Sequence, residues 1–151
     1  MDGRRENLFE LTTSALRDPD PHAEVRRLGA PARRALAAEL GLDETLRVVV
    51  RGTRGQAIVG TDRRVLVLPP FVPGDDTAGP IASCEYLDVL GVEVNERALG
   101  GSVVLSILDG KAGIPAAGDW DAIRARVATL RGLIAGAHSD AVPAEVRLIA
   151  L

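Results

Sequence analysis

Residues 55–68, Gly55-Gln56-Ala57-Ile58-Val59-Gly60-Thr61-Asp62-Arg63-Arg64-Val65-Leu66-Val67-Leu68, decide how this chain is read. Two apolar runs flank Thr61-Asp62-Arg63, a connection too short for anything but an antiparallel return. Residues 56–61 and 64–68 are therefore predicted as neighbouring strands. Thr61 and Asp62 carry side-chain oxygens able to hydrogen-bond the backbone of their own tight turn, and the following arginine projects beside the apolar strand.

Upstream, Leu46, Val48 and Val50 alternate with Thr45, Arg47, Val49 and Arg51, which predicts a strand with one buried face. Gly52-Thr53-Arg54-Gly55 turns it into the hairpin, making a three-stranded meander. Downstream, residues 69–80 (PPFVPGDDTAGP) hold too many prolines and glycines for sheet interior and read as a loop. Residues 81–85 make a fourth strand. The apolar phase slips between Val89 and Leu90, so a corner or bulge is expected there. Leu90, Val92 and Val94 form a fifth strand, Val103, Leu105 and Ile107 a sixth, and residues 111–116 a weak seventh. Gly118 and Asp119 then precede a helix over 120–137, whose stripe is Trp120, Ile123, Val127, Leu130 and Ile134.

The first 41 residues read as helix. Leu8, Leu11, Ala15 and Leu16 share one face, Asp20 caps a second helix with Pro21 in its first position, and Pro31 opens a third, over 32–40. Gly41 is expected to close it in the left-handed conformation. The expected class is α+β, mainly β: a strongly curved antiparallel barrel or split barrel of six or seven strands. A C-terminal helix caps it and an N-terminal helical segment precedes it. Three parts follow: a helical extension (1–41), the barrel with its helix (42–137), and a tail (138–151) whose Val146, Leu148 and Ala150 mark a candidate edge strand.

The Thr61-Asp62-Arg63-Arg64 turn between apolar strands resembles bacterial pleckstrin-homology-like domains, and the hairpin is similar to that of eukaryotic GRAM domains. Leu42-Asp43-Glu44-Thr45-Leu46 looks like the opening of such domains. The resemblance covers about residues 42–137 and implies a helix-capped barrel that hosts lipid, peptide or structural roles.

Composition narrows the function. With 151 residues, 46% of them hydrophobic, the chain suits one globular domain. The formal charge of -3 and only four aromatics (Phe9, Phe71, Tyr86 and Trp120) argue against nucleic-acid binding. One cysteine, Cys84, excludes an internal disulfide and thiolate-rich zinc sites, and neither metal nor cofactor is expected. No apolar run is long enough for a transmembrane helix and the N-terminus lacks a signal-peptide pattern, so a cytoplasmic setting is expected, and the resemblance implies a bacterial one.

Arg51 and Arg54 flank the first turn, Arg63 and Arg64 the second, and a strand of six residues holds the two pairs about 20 Å apart. They cannot converge on one head group. Asp75 and Asp76 of the loop are expected to offset Arg51 and Arg54. His22 and His138 stand alone, Cys84 reads as a small buried hydrophobe, and nothing pairs a nucleophile with a base. The arginine-bearing helices over 20–41 read as packing elements rather than a helix-turn-helix, because Glu24 and Glu39 dilute their charge. The expectation is a non-enzymatic adaptor that contacts protein or itself through a strand edge and the 69–80 loop. Phe71 is its anchor, unless it packs over the barrel mouth. The alternative is reversible binding to anionic lipid through Arg51 and Arg54; a small enzyme is the lesser reading.

Overall fold

The computed structural model describes residues 20–71 and 79–141. The predicted helix through Leu8–Leu16, the acidic pair Asp75-Asp76 and the tail strand lie outside them. Helices α1 (Pro21–Arg26) and α2 (Ala30–Glu39) precede β1 (Leu46–Arg51), β2 (Ala57–Thr61), β3 (Arg64–Leu68) and β4 (Ala82–Glu85). A 3-10 turn, Tyr86–Asp88, leads into β5 (Val89–Asn95), β6 (Gly101–Ile107) and β7 (Gly110–Ala116), and α3 (Trp120–Ala141) ends the described chain. Asp20 caps α1, its Oδ1 accepting from the His22 N–H at 3.0 Å. Asp119 serves α3 the same way, accepting from Ala122 at 3.2 Å.

Among the described residues all pairings are antiparallel, but they form two sheets, β1-β2-β3-β4 and β5-β6-β7, not a closed cylinder. The expected barrel is thus split. After β4 the 3-10 turn carries the chain into the second sheet instead of back along the β4 edge. On the opposite side the Thr53 N–H donates to the Pro115 carbonyl at 2.9 Å. Pro115 has no amide hydrogen to return that bond, so no ladder grows there.

The inner faces of both sheets and the α3 stripe share one core. Val50, Ile58 and Val65 meet Val92, Val103, Leu105 and Ile114, and Ile123, Val127 and Leu130 close it. A second core lies on the outer face of the first sheet, where Leu28, Ala32 and Leu36 cover Val49, Val59 and Leu66. The β1 strand is consequently buried on both faces rather than one. The register shifts between Leu46 and Val48, and this bulge moves Leu46 out of phase with Val48 and Val50 into the outer core. A second shift, between Val89 and Gly91, is the one anticipated; it leaves Leu90 exposed while Val89 and Val92 are buried. Two other expectations are corrected. Gly41 is not left-handed: Leu40 ends α2 in an extended conformation, and the Gly41 N–H donates to Glu44 Oε1 at 3.1 Å. The last helix runs past residue 137 to Ala141, held near its end by His138, whose Nε2 lies 3.0 Å from the carbonyls of both Tyr86 and Val89.

Candidate functional site

The turn that decided the sequence reading is an internal clamp. Thr61 is fully buried, and its Oγ1 accepts from the amides of Arg63 and Arg64, both at 3.0 Å. The same hydroxyl donates to Glu44 Oε2 at 2.7 Å. Asp62 Oδ1 accepts from the Thr45 amide at 2.9 Å, pinning the turn to the segment entering β1. Arg64 does not project freely beside its strand. Its Nε and Nη2 donate to the two oxygens of Glu44, each at 2.9 Å, and Nη1 and Nη2 reach the Glu39 carboxylate and carbonyl at 3.0 and 2.8 Å. The Arg64 hydrogen bond, helped by Thr61 and the Gly41 amide, outweighs burial and lowers the Glu44 pKa to about 2. Tyr86 donates its hydroxyl to the Thr61 carbonyl, and burial raises its pKa well above the phenol range.

Glu24 is a second clamp. Its carboxylate is buried and accepts from Arg51 Nε at 2.5 Å and from Arg126 Nη2 at 2.9 Å. It joins α1 to β1 and α3. Arg51, one of the two arginines expected to meet lipid, is therefore engaged inside the protein. Arg54 is exposed, with a left-handed backbone (φ 58°) at the β1–β2 turn. Its carbonyl accepts from the Phe71 N–H at 2.8 Å, so the start of the 69–80 loop does return to this turn. Phe71 sits on the rim, 37% exposed. Arg51, Arg54 and Phe71 thus gather at one end of the first sheet, but only Arg54 and Phe71 face outward.

Cys84 is partly buried and packs against the inner core; burial, with the charge of Asp88, raises its thiol pKa, opposite to what activates a nucleophile. Among the described residues no cluster of His, Cys, Asp and Glu is arranged to hold a metal ion, and no helix is long and apolar enough to cross a membrane. An apolar groove of about 430 Å³ runs between β5 and α3, lined by Leu90, Val92, Arg131, Ile134, Ala135 and His138. Nothing in the sequence reading pointed to it, because it depends on how α3 lies across β5. The carboxylates of Glu24 and Glu44 were also missed as partners; only the position of Glu44 in the opening segment hinted at a role.

Four plus three antiparallel strands with a C-terminal helix over the shared core match the split, helix-capped arrangement expected from the sequence. The chain is similar to the pleckstrin homology domain of Shewanella amazonensis SB2B at 17% identity and TM-score 0.47, over 64% of this chain and 83% of that one. It is also similar to a DUF1696 family protein with a pleckstrin-homology domain from Shewanella loihica PV-4, at 18% identity and TM-score 0.43, over 63% and 88% of the two chains. No protein-family model and no curated protein matches the sequence.

Proposed function

We propose that this chain is a non-enzymatic, cytoplasmic binding module acting by protein–protein contact or self-association at the rim built by Phe71 and the outer edge of β4. The observation that carries this reading is the Phe71 amide bonded to the Arg54 carbonyl, which holds a half-exposed aromatic ring in place at the sheet end. A pre-positioned aromatic loses little entropy on binding and makes a good anchor. The β4 strand begins beside it, since Ala82 pairs with Val67 and the chain reaches Phe71 four residues later. Only β3 pairs with β4 among the described residues, so its other edge is open to a partner strand.

Anionic lipid is the competing reading, and the exposed Arg54 favours it. Arg51 and Arg64 argue against it, because each is already bonded to a buried carboxylate. The test pairs two measurements. Crosslinking in native lysate and sedimentation of the purified chain are repeated with Phe71→Ala, which is expected to lose the partner or the self-association. Co-sedimentation with phosphatidylglycerol vesicles at low salt is expected to show no binding; salt-sensitive binding lost in Arg54→Ala would replace the protein-contact reading with the lipid one.

A further inference from the structure

We infer that the outer edge of β4 takes an extended segment of another protein that alternates basic with apolar residues, an inference resting on the reading of that edge as the contact. Beside the edge, where the two sheets part, lies a cleft of about 710 Å³, within the roughly 300–1,000 Å³ of ordinary ligand pockets. One wall is β4 from Ser83 to Glu85, the other is the end of β6 and its turn from Ile107 to Asp109, and Asp88 of the intervening 3-10 turn completes the lining with Arg64. The Leu108 N–H donates to the Asp88 carbonyl at 3.1 Å and Val89 pairs with Ile107, so the far wall is fixed to the turn that follows β4.

The free charge around this cleft has one sign. Glu85, Asp88 and Asp109 are exposed on it, and none forms an ion pair among the described residues. Arg64 is the only cation in the lining, and its five N–H groups are all taken. They go to both oxygens of Glu44, to the carboxylate and carbonyl of Glu39, and to Ser83 Oγ at 3.3 Å. Its charge is thus met by two carboxylates. Lys111 gives no compensation, because it stands opposite Ser106, on the other face of the second sheet from Ile107. Three unpaired carboxylates around one cleft repel one another, and a cation entering between them relieves this. Apolar surface is present too: Leu108 is 63% exposed, and Ile107 and Cys84 are half-buried against the inner core.

The edge alone would select little. Every second residue of an edge strand turns its N–H and C=O outward, and β4 has only four residues, so side chains decide what binds. Cys84 pairs with Val65 and faces the inner core with Ile107, whereas Ser83 pairs with Leu66 and shares the opposite face with Glu85. Successive side chains of an added strand would fall on these two faces in turn, which an apolar–basic alternation satisfies. Among the described residues a second copy offers no such segment. Its exposed Arg26, Arg33 and Arg34 lie on helices, and β1, which carries Arg47 and Arg51, is already paired with β2 and buried on both faces.

The test uses the full chain and three fluorescent, end-capped peptides in which valine alternates with lysine, serine or glutamate. The lysine peptide is expected to bind about tenfold or more tightly than the serine peptide, to weaken as salt is added, and to slow amide exchange in β4. Asp88→Lys combined with Asp109→Lys is expected to reverse the order, so that the glutamate peptide binds best; misfolding cannot produce such a gain. A serine peptide that binds as well as the lysine one and protects β4 would leave the strand-edge reading standing and overturn the basic preference. An unreversed order in the charge-swapped chain would overturn it too. Failure of every peptide to slow exchange in β4 would overturn the inference and the strand-edge reading together. A dimer of the chain alone, abolished by the charge swap in sedimentation, would assign the cleft to a second copy and overturn the inference.

Discussion

Arg64 grips both oxygens of Glu44, Nε donating to Oε2 and Nη2 to Oε1 at 2.9 Å each, although 20 residues separate them in the chain. This paired fork closes the loop that enters β1 onto the β2–β3 turn, and charge-assisted bonds of this geometry are among the stronger ones in proteins.

The first prediction concerns acid stability. Glu44 has a folded pKa of about 2 against an ordinary 4.5, so its contribution is fully present above pH 4.5 and is lost as the pH falls through 2. The difference corresponds to at most roughly 3 kcal/mol. In urea melts from pH 6 to pH 2, Glu44→Gln is expected to be less stable at pH 6 and to lose much less on acidification. Parallel curves for the two proteins would show that Glu44 does not supply the acid sensitivity.

Glu24→Ala leaves Arg51 and Arg126 without the buried carboxylate that both contact. Removing one member of a buried ionic group typically costs about 3 kcal/mol or more. Chemical denaturation is expected to show a loss of that size, with α1 exchanging its amides much faster than β3. A variant within about 0.5 kcal/mol of the parent would refute the clamp.

Gly60 has no room for a side chain. An added Cβ would lie 2.9 Å from Val48 Cγ1 and 3.1 Å from both Leu130 Cδ1 and Tyr86 Oη. Gly60→Ala is expected to destabilise by about 1–3 kcal/mol through overpacking at the junction of sheet and helix. A melting temperature equal to the parent's would contradict this.

Phe71→Ala is expected to change stability by less than about 1 kcal/mol, because the ring is half-exposed, whereas Leu66→Ala, fully buried in the outer core, should cost about 2–5 kcal/mol. Thermal melts of the two variants side by side decide the matter. Comparable losses would make Phe71 a packing residue and remove it as an anchor.

Much of this architecture was legible from period and punctuation. The strand over 64–68 falls on β3, and the stripe from Trp120 to Ile134 lines the inner core, because both follow local rules. Bulges were harder. The slip at Val89 showed as a break in apolar phase, but Leu46 sits in an unbroken Leu-Val-Val alternation, and only the helices above it reveal which core it joins. The clamps were invisible for a related reason. Glu24, Arg51 and Arg126 are scattered along the chain, and no spacing announces that three surface-type side chains converge. Arg64 was read as a surface arginine flanking its turn because an isolated arginine carries no mark of its partner.

The outer core also bears on how this protein can be dissected. A fragment beginning at residue 42 would keep β1 to β7 and the capping helix, yet it would bare Val49, Val59 and Leu66 to water on one side of the first sheet. Such a fragment would be sticky and would pull down hydrophobic bystanders in any interaction screen. Baits made from this protein therefore need α1 and α2 retained.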